Sequence, residues 1–169
     1  MKVNIPTMLV AGVLGVVLLL GGCSGYKLET VNPIKPLTLD EFQEMVSAKT
    51  FNALVVVFGV WCPPCREELP VFAKLYNERK DSNVDLIAVS IDDGNAKKVQ
   101  FLVDDLRLPF PVYHVGSQVA KQYRIVGIPT LLVVKGGTVV KQISGQQTLK
   151  ALASTLDQLG TSVRSDLLQ

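Results

Sequence analysis

The chain has 169 residues, with 17 Lys and Arg against 15 Asp and Glu and a formal net charge of +2. This near balance excludes a polybasic nucleic-acid surface, and the 48% share of hydrophobic residues excludes a disordered tail. The length suits one domain with a buried core. A single histidine and three cysteines provide few ligands for a metal site, and no cofactor is predicted.

The first 22 residues have the order of parts found in a secretory signal. Met8 to Leu20 contains only apolar residues and glycine, Lys2 is the only charge before it, and small residues follow it. The run is shorter than the roughly 20 apolar residues that span a bilayer. We therefore predict a signal peptide at residues 1–22, with an uncleaved anchor over Val3 to Gly22 as the alternative.

The segment Leu20-Gly21-Gly22-Cys23 resembles a bacterial lipobox. That resemblance implies that Cys23 is lipidated and becomes the mature N-terminus, and Ser24 implies the outer membrane of a Gram-negative cell in preference to the inner one. A plain signal peptide with an incidental cysteine is the alternative, and it also exports the domain. Residues 23–36, which contain Asn32-Pro33 and Lys35-Pro36, are predicted to be a tether. One domain follows at residues 37–169.

The first half of this domain predicts a parallel β-α-β unit. A helix capped by Thr38 or Asp40 comes first. Two apolar, β-branched runs, Ala53–Phe58 and Val84–Ile91, then flank a helical pattern from Pro64 to Lys80. Continuously apolar strands suit a sheet that is covered on both faces, and the order strand, helix, strand favours parallel pairing.

The second half predicts two helices, a β-hairpin and a closing amphipathic helix. These segments are, in chain order, Asn95–Leu106, Ser117–Tyr123, Thr130–Lys135 with Thr138–Ile143, and Leu149–Leu159. Gly136-Gly137 supplies the two-residue turn of the hairpin. Asp92-Asp93, before Gly94, is interpreted as a polar strand-to-helix turn, with a metal site as the weaker alternative.

The reactive chemistry is predicted at Trp61-Cys62-Pro63-Pro64-Cys65, directly after the first apolar strand and at the start of a helix. Two cysteines at this spacing can close a small disulfide ring and reopen it. The positive end of a helix favours the thiolate of the first cysteine, and the thiolate is the attacking species. Cys62 is therefore the predicted nucleophile, and Cys65 is placed to attack the mixed disulfide and release the substrate.

Three other uses of this cysteine pair are less favoured. A fixed structural disulfide is common in exported proteins, but the pair stands between Trp61 and a helix start. Zinc requires about four ligands, and the distant His114 adds only one. Covalent haem requires a histidine directly after the second cysteine, where Arg66 stands.

The chain resembles the thioredoxin superfamily and, more narrowly, the membrane-tethered TlpA/ResA-like thiol:disulfide oxidoreductases. The resemblance rests on the strand leading into Phe58–Cys65, on Pro70 in the following helix, and on Val126-Gly127-Ile128-Pro129-Thr130. It implies an α/β, thioredoxin-like fold, in which helices flank a central mixed β-sheet. The segment Asn95–Val115 is similar to the insertion that distinguishes the TlpA type.

The resemblance also implies roles for residues around the cysteines. The Ile128–Pro129 bond is expected to be cis, with Pro129 facing the disulfide. Backbone groups around Ile128 would align an extended substrate segment. Trp61, with Pro63 and Pro64, would contact the substrate, and for Trp61 plain packing is the alternative.

Glu68 is a second residue whose role follows from the resemblance. Many thioredoxins keep a buried acid six residues before the first cysteine, and Val56 stands at that position here. In the TlpA/ResA-like group a glutamate three residues after the second cysteine lies close to the redox site, and Glu68 matches it. Glu68 is expected to tune Cys65 or accept its proton, unless it merely suits the positive end of a helix, as Glu67 would.

The two prolines also bear on the direction of electron flow. Neither Pro63 nor Pro64 has a backbone N–H, so the donors that usually follow the nucleophilic sulfur are missing. Fewer donors stabilise the thiolate less, which favours a reducing couple over an oxidising one.

The sequence therefore predicts a lipid-anchored thiol:disulfide oxidoreductase that faces the periplasm from the cell envelope and reduces protein disulfides. A membrane-borne dithiol would resupply its electrons, and the resemblance implies a role in cytochrome c maturation. Two other functions stay open: a non-catalytic binding module that uses the same groove, and a thiol peroxidase. Dithiol-dependent turnover would exclude the binding module. Rapid oxidation of Cys62 by peroxide would indicate a thiol peroxidase.

Overall fold

The structure is a computed structural model that describes residues 32–79 and 82–166. The predicted signal peptide and Cys23 lie outside this part of the chain. The strands are β1 (Lys35–Pro36), β2 (Ala53–Phe58), β3 (Asp85–Ser90), β4 (Val112–His114), β5 (Thr130–Lys135) and β6 (Thr138–Ser144). The helices are α1 (Leu39–Ser47), α2 (Pro63–Glu78), α3 (Ala96–Asp105), α4 (Gln118–Gln122) and α5 (Leu149–Asp166). Within those residues, no helix combines the length and the apolar character needed to cross a membrane.

The strands form one mixed sheet in the order β1-β4-β3-β2-β5-β6. β2 pairs in parallel with β3 and antiparallel with β5, so it lies inside the sheet. All six residues of β2 are buried, which is why its sequence is apolar without alternation. The predicted β-α-β unit, the hairpin and the mixed sheet flanked by helices are confirmed.

Two apolar layers cover the two faces of the sheet. Val56 of β2 packs in the layer that contains Phe72 of α2 and Leu152 of α5. Val55, which points the other way, packs in the layer that contains Phe42 of α1. The predicted insertion contributes α3 and β4, and its buried residues belong mainly to the α2 layer. This packing holds the start of α2 firmly against the carboxyl end of β2.

The folded domain begins earlier than the sequence predicted. The Asn32 side chain donates hydrogen bonds to the carbonyl groups of Leu108 at 2.9 Å and Phe110 at 2.6 Å. The Ile34 N–H donates to the side chain of Gln100 at 2.9 Å, and β1 pairs in parallel with β4. Residues 32–36, predicted as the end of a tether, are therefore part of the domain.

Of the two candidate caps of α1, the structure selects Thr38. Its hydroxyl oxygen accepts a hydrogen bond from the Glu41 N–H at 3.2 Å, and the Glu41 carboxylate accepts from the Thr38 N–H at 2.7 Å. This reciprocal pair is a capping box. The pKa of Glu41 is lowered because its carboxylate accepts hydrogen bonds from the Thr38 N–H and from the Thr38 hydroxyl, the latter at 2.8 Å.

The turn of the β5–β6 hairpin requires its two glycines. Gly136 and Gly137 have φ angles of 54° and 78°, in the left-handed region that side chains disfavour. A Cβ atom on Gly137 would also collide with the carbonyl oxygen of Ser47, at the end of α1. On Gly136 the same atom would lie 3.7 Å from the nearest carbonyl oxygen, an ordinary contact.

We expect Gly137→Ala to lower the free energy of unfolding by about 3 kcal/mol and Gly136→Ala by about 1 kcal/mol. Both substitutions strain the backbone, but only the first adds a collision with α1. Urea unfolding of the two variants measures the difference, and equal losses would contradict the close approach of the turn to Ser47.

Candidate active site

The two cysteines of the predicted motif form a disulfide at the start of α2. Cys62 is the N-cap residue, Cys65 lies in the first turn, and their sulfur atoms are 2.06 Å apart. Pro63 and Pro64 are the first two helical residues, so neither offers an N–H to Cys62. The backbone donor to Cys62 is instead the Cys65 N–H, whose nitrogen lies 3.2 Å from Cys62 Sγ.

The two sulfurs differ in solvent exposure. Cys62 is 3% exposed and Cys65 is fully buried. A disulfide on another protein can therefore approach Cys62 but not Cys65. The neighbouring Pro63 and Pro64 are exposed, so both are placed where a bound substrate would meet the surface.

The loop before β5 lies against the disulfide. The Ile128–Pro129 bond is cis, as predicted. The Ile128 carbonyl oxygen lies 3.6 Å from Cys62 Sγ, and Pro129 is buried. The Thr130 hydroxyl donates to the Gly127 carbonyl oxygen at 2.7 Å, which ties the loop back on itself. The structure thus brings together the two loops that the resemblance placed at the site.

Two exposed apolar side chains lie on the loops that meet at the disulfide. Trp61 is 65% exposed, so it does not fill the core. Val126, three residues before Pro129, is 96% exposed. The Trp61 ring lies over Gly59, where a Cβ atom would approach it to 2.9 Å. An exposed tryptophan beside an almost fully buried disulfide gives a substrate an apolar surface to contact.

Glu68 lies one helical turn after Cys65, on the same face of α2. It is 1% exposed, whereas the neighbouring Glu67 is exposed. The Gln147 N–H donates to Glu68 Oε1 at 2.8 Å. Burial raises the pKa of Glu68, and the hydrogen bond from Gln147 opposes this only in part. At the same pH, a buried carboxyl group with a raised pKa is protonated in a larger fraction of molecules than an exposed glutamate.

The raised pKa of Glu68 gives a testable pH dependence of stability. Because the folded protein holds this proton more tightly than the unfolded chain, the contribution of Glu68 is fully present below about pH 4.5 and declines as pH rises through the folded pKa. Glu68→Gln should remove this decline and stabilise the protein at pH 7 by on the order of 1 kcal/mol. Urea unfolding at several pH values compares it with Glu67→Gln, which should follow the original protein. Parallel pH profiles for all three proteins would contradict the assignment.

Asp92 is a site residue whose role the sequence did not indicate. It is only 6% exposed, and its carboxylate accepts a hydrogen bond from the Val60 N–H at 3.0 Å, two residues before Cys62. In the sequence, Asp92-Asp93 before Gly94 has the pattern of a polar turn, and the Val60 N–H that Asp92 binds is 32 positions away. Among the residues that the structure describes, no group of three or more His, Cys, Asp or Glu is placed to hold a metal ion.

The fold and the site together define a class of protein. A mixed sheet between helices carries a Cys-Pro-Pro-Cys disulfide at a helix start, opposite a cis-proline loop. This arrangement is that of a thioredoxin-fold thiol:disulfide oxidoreductase. The chain belongs to the AhpC/TSA family, whose model matches residues 32–143.

Known proteins similar to this chain support that class. Thiol-disulfide oxidoreductase ResA of Bacillus thuringiensis subsp. konkukian is 32% identical over 118 residues, which cover 69% of this chain and 68% of that protein. Sporulation thiol-disulfide oxidoreductase A of Bacillus subtilis is 32% identical over 96 residues, covering 54% of this chain and 58% of that protein. The crystal structure of StoA from Bacillus subtilis matches with a TM-score of 0.58 and 26% identity, covering 65% of this chain and 85% of that one.

Proposed function

We propose that this protein is a reductant of protein disulfides in the bacterial cell envelope. The observation that carries the proposal is the placement of Cys62, whose sulfur belongs to a disulfide, retains slight exposure and lies beside the Ile128 carbonyl group. An extended substrate segment could pair with the backbone near Ile128 and bring its own sulfur to Cys62. Trp61, with Pro63 and Pro64, would contact the same segment.

In the proposed reaction the reduced protein gives two electrons to a substrate disulfide. The Cys62 thiolate attacks one substrate sulfur, the substrate S–S bond breaks, and the other substrate sulfur leaves as a thiolate that takes a proton. Cys65 then loses its proton and attacks Cys62 Sγ. The Cys62–Cys65 bond forms, and the second substrate sulfur leaves as a thiolate and is protonated in turn.

The preference for reduction over oxidation rests on the donors around Cys62. A strongly oxidising disulfide needs a thiolate that is stabilised by several donors. Here Pro63 and Pro64 offer none, and the Cys65 N–H is the donor that reaches Cys62 Sγ. The thiolate is therefore weakly stabilised, which favours the disulfide form of the protein and so the donation of electrons.

Glu68 would accept the proton of Cys65 before the second attack. Its buried position one turn beyond Cys65 supports this role, and its raised pKa favours the uptake of a proton. Glu68→Gln should then shift the pKa of the Cys65 thiol, whereas Glu67→Gln should not. Cysteine pKa values that are unchanged in Glu68→Gln would restrict Glu68 to a structural role.

The N-terminal segment would hold the domain at a membrane. With Cys23 lipidated, the 32 − 23 = 9 residue steps to Asn32 reach at most roughly 30 Å when fully extended. The domain would then stay at the surface of that membrane, and a membrane-borne dithiol would restore its electrons. We favour the outer membrane as the site of the lipid anchor, because Ser24 directly follows Cys23. Cytochrome c maturation is the process that the TlpA/ResA resemblance implies.

Turnover of the full-length protein in detergent tests the activity. We expect it to reduce a disulfide-bonded peptide repeatedly when dithiothreitol is supplied, and Cys23→Ser to do so equally well. Binding of the peptide without turnover would favour the non-catalytic binding module. Faster oxidation of Cys62 by hydrogen peroxide than by the peptide disulfide would favour a thiol peroxidase.

A further inference from the structure

Asp92 connects the end of β3 to the loop that carries the redox disulfide. Its carboxylate accepts hydrogen bonds from the Val60 N–H, at 3.0 Å to Oδ2 and 3.3 Å to Oδ1, and from the Ser90 hydroxyl at 2.8 Å. The Asp92 N–H in turn donates to Ser90 Oγ at 3.1 Å. A buried carboxyl group is tolerated only where such bonds replace its hydration. Asp92 is therefore held in one orientation.

The residue that Asp92 holds belongs to a tight turn. The Cys62 N–H donates to the Gly59 carbonyl oxygen at 3.1 Å, so residues 59–62 form a four-residue turn with Val60 as its second residue and Trp61 as its third. This turn connects β2 to α2 and fixes the direction in which Trp61 and Cys62 face. The bond from Val60 to Asp92 anchors the turn to the neighbouring strand.

We propose that Asp92 is a positioning residue for disulfide exchange, and that its bond to Val60 sets the orientation of Trp61 and Cys62 toward the substrate. Exchange requires the attacking, central and leaving sulfur atoms to be aligned, so a small displacement of Cys62 slows it. Without Asp92, the half-buried Val60 N–H loses its partner, and the turn depends on its single internal bond. The proposal builds on the thiol:disulfide exchange activity.

The neighbouring Asp93 provides a matched control. Asp93 is exposed, and its carboxylate accepts a hydrogen bond from the Ser117 N–H at 2.8 Å, away from the cysteine turn. If acidic residues after β3 served only to stabilise the loop, Asp92→Ala and Asp93→Ala would affect stability alone. Asp92→Asn is the conservative variant, because its amide oxygen can still accept from Val60.

The experiment measures, in the full-length protein, the rate at which Cys62 attacks a disulfide-bonded peptide and the fluorescence of Trp61. Trp61 is the only tryptophan of the chain, so its emission reports directly on the turn. Per folded molecule, we expect Asp92→Ala to slow the attack by about tenfold and to change the Trp61 emission. Asp92→Asn and Asp93→Ala should stay within about twofold of the original rate and keep its emission.

A folded Asp92→Ala protein with the original rate and emission would overturn the proposal. If Asp92→Ala does not fold, Ser90→Ala decides, because it removes the two hydrogen bonds between the Ser90 hydroxyl and Asp92 and leaves the Asp92 carboxylate in place. Its rate should fall by about threefold, with altered emission, and an unchanged rate and emission would overturn the proposal. If the original protein performs no exchange at all, the activity fails, while the emission of the Asp92 and Ser90 variants still tests the positioning.

Discussion

Cys65→Ser should trap Cys62 in a stable mixed disulfide with a substrate, and Cys62→Ser should trap none. The reason is exposure: Cys62 is slightly exposed and Cys65 is fully buried, so in the proposed order of attack Cys62 meets the substrate and Cys65 later releases it. Either substitution should lower turnover by more than about 10³-fold, because the two sulfurs act as a unit. Non-reducing electrophoresis after mixing with a disulfide-bonded peptide detects the trapped species.

Both variants are best made in the Cys23→Ser background, so that each protein keeps a single cysteine. The Cys23→Ser protein itself should turn over normally, because residue 23 lies outside the motif. Trapping by Cys62→Ser that equals trapping by Cys65→Ser would contradict the assigned order of attack.

Phe110→Ala should lower the free energy of unfolding by about 4 kcal/mol. Phe110 lies in the predicted insertion and is fully buried. Its ring meets Phe72 of α2 edge-on, with centroids 5.1 Å apart, and lies 6.0 Å from Tyr76. Truncation would leave a cavity between the insertion and the helix that carries the cysteines.

Phe101→Ala is the control for this prediction. Phe101 lies in α3 of the same insertion but is 68% exposed, so its loss should change the free energy of unfolding by less than about 0.5 kcal/mol. Urea unfolding compares the two variants. A loss below about 1 kcal/mol for Phe110→Ala would mean that the insertion packs only loosely on α2.

Local patterns were sufficient to predict most of the elements. β2 and β3 are buried on both faces, and that burial makes their sequences continuously apolar. The hairpin depends on Gly136-Gly137, which few other residue pairs could replace. The cysteine pair was equally clear, because its spacing and its place between a strand and a helix are both visible in the sequence.

The features that the sequence missed or left open depend on contacts between distant residues. β1 has only two residues and both are exposed, so no apolar pattern in the sequence predicts this strand. Glu67 and Glu68 look alike in the sequence, and only the packing of α2 shows that Glu68 alone is buried. Asp92 resembles any polar turn residue until the fold places it beside Val60.

The reduction potential of the Cys62/Cys65 couple tests the central claim most directly. The full-length Cys23→Ser protein in detergent would be equilibrated with dithiothreitol or glutathione buffers, and the oxidised fraction measured by thiol labelling. We predict a value near that of thioredoxin, about −270 mV, which marks a protein that reduces other disulfides. A value near −120 mV would make the protein a donor of disulfides and contradict its proposed role as a reductant.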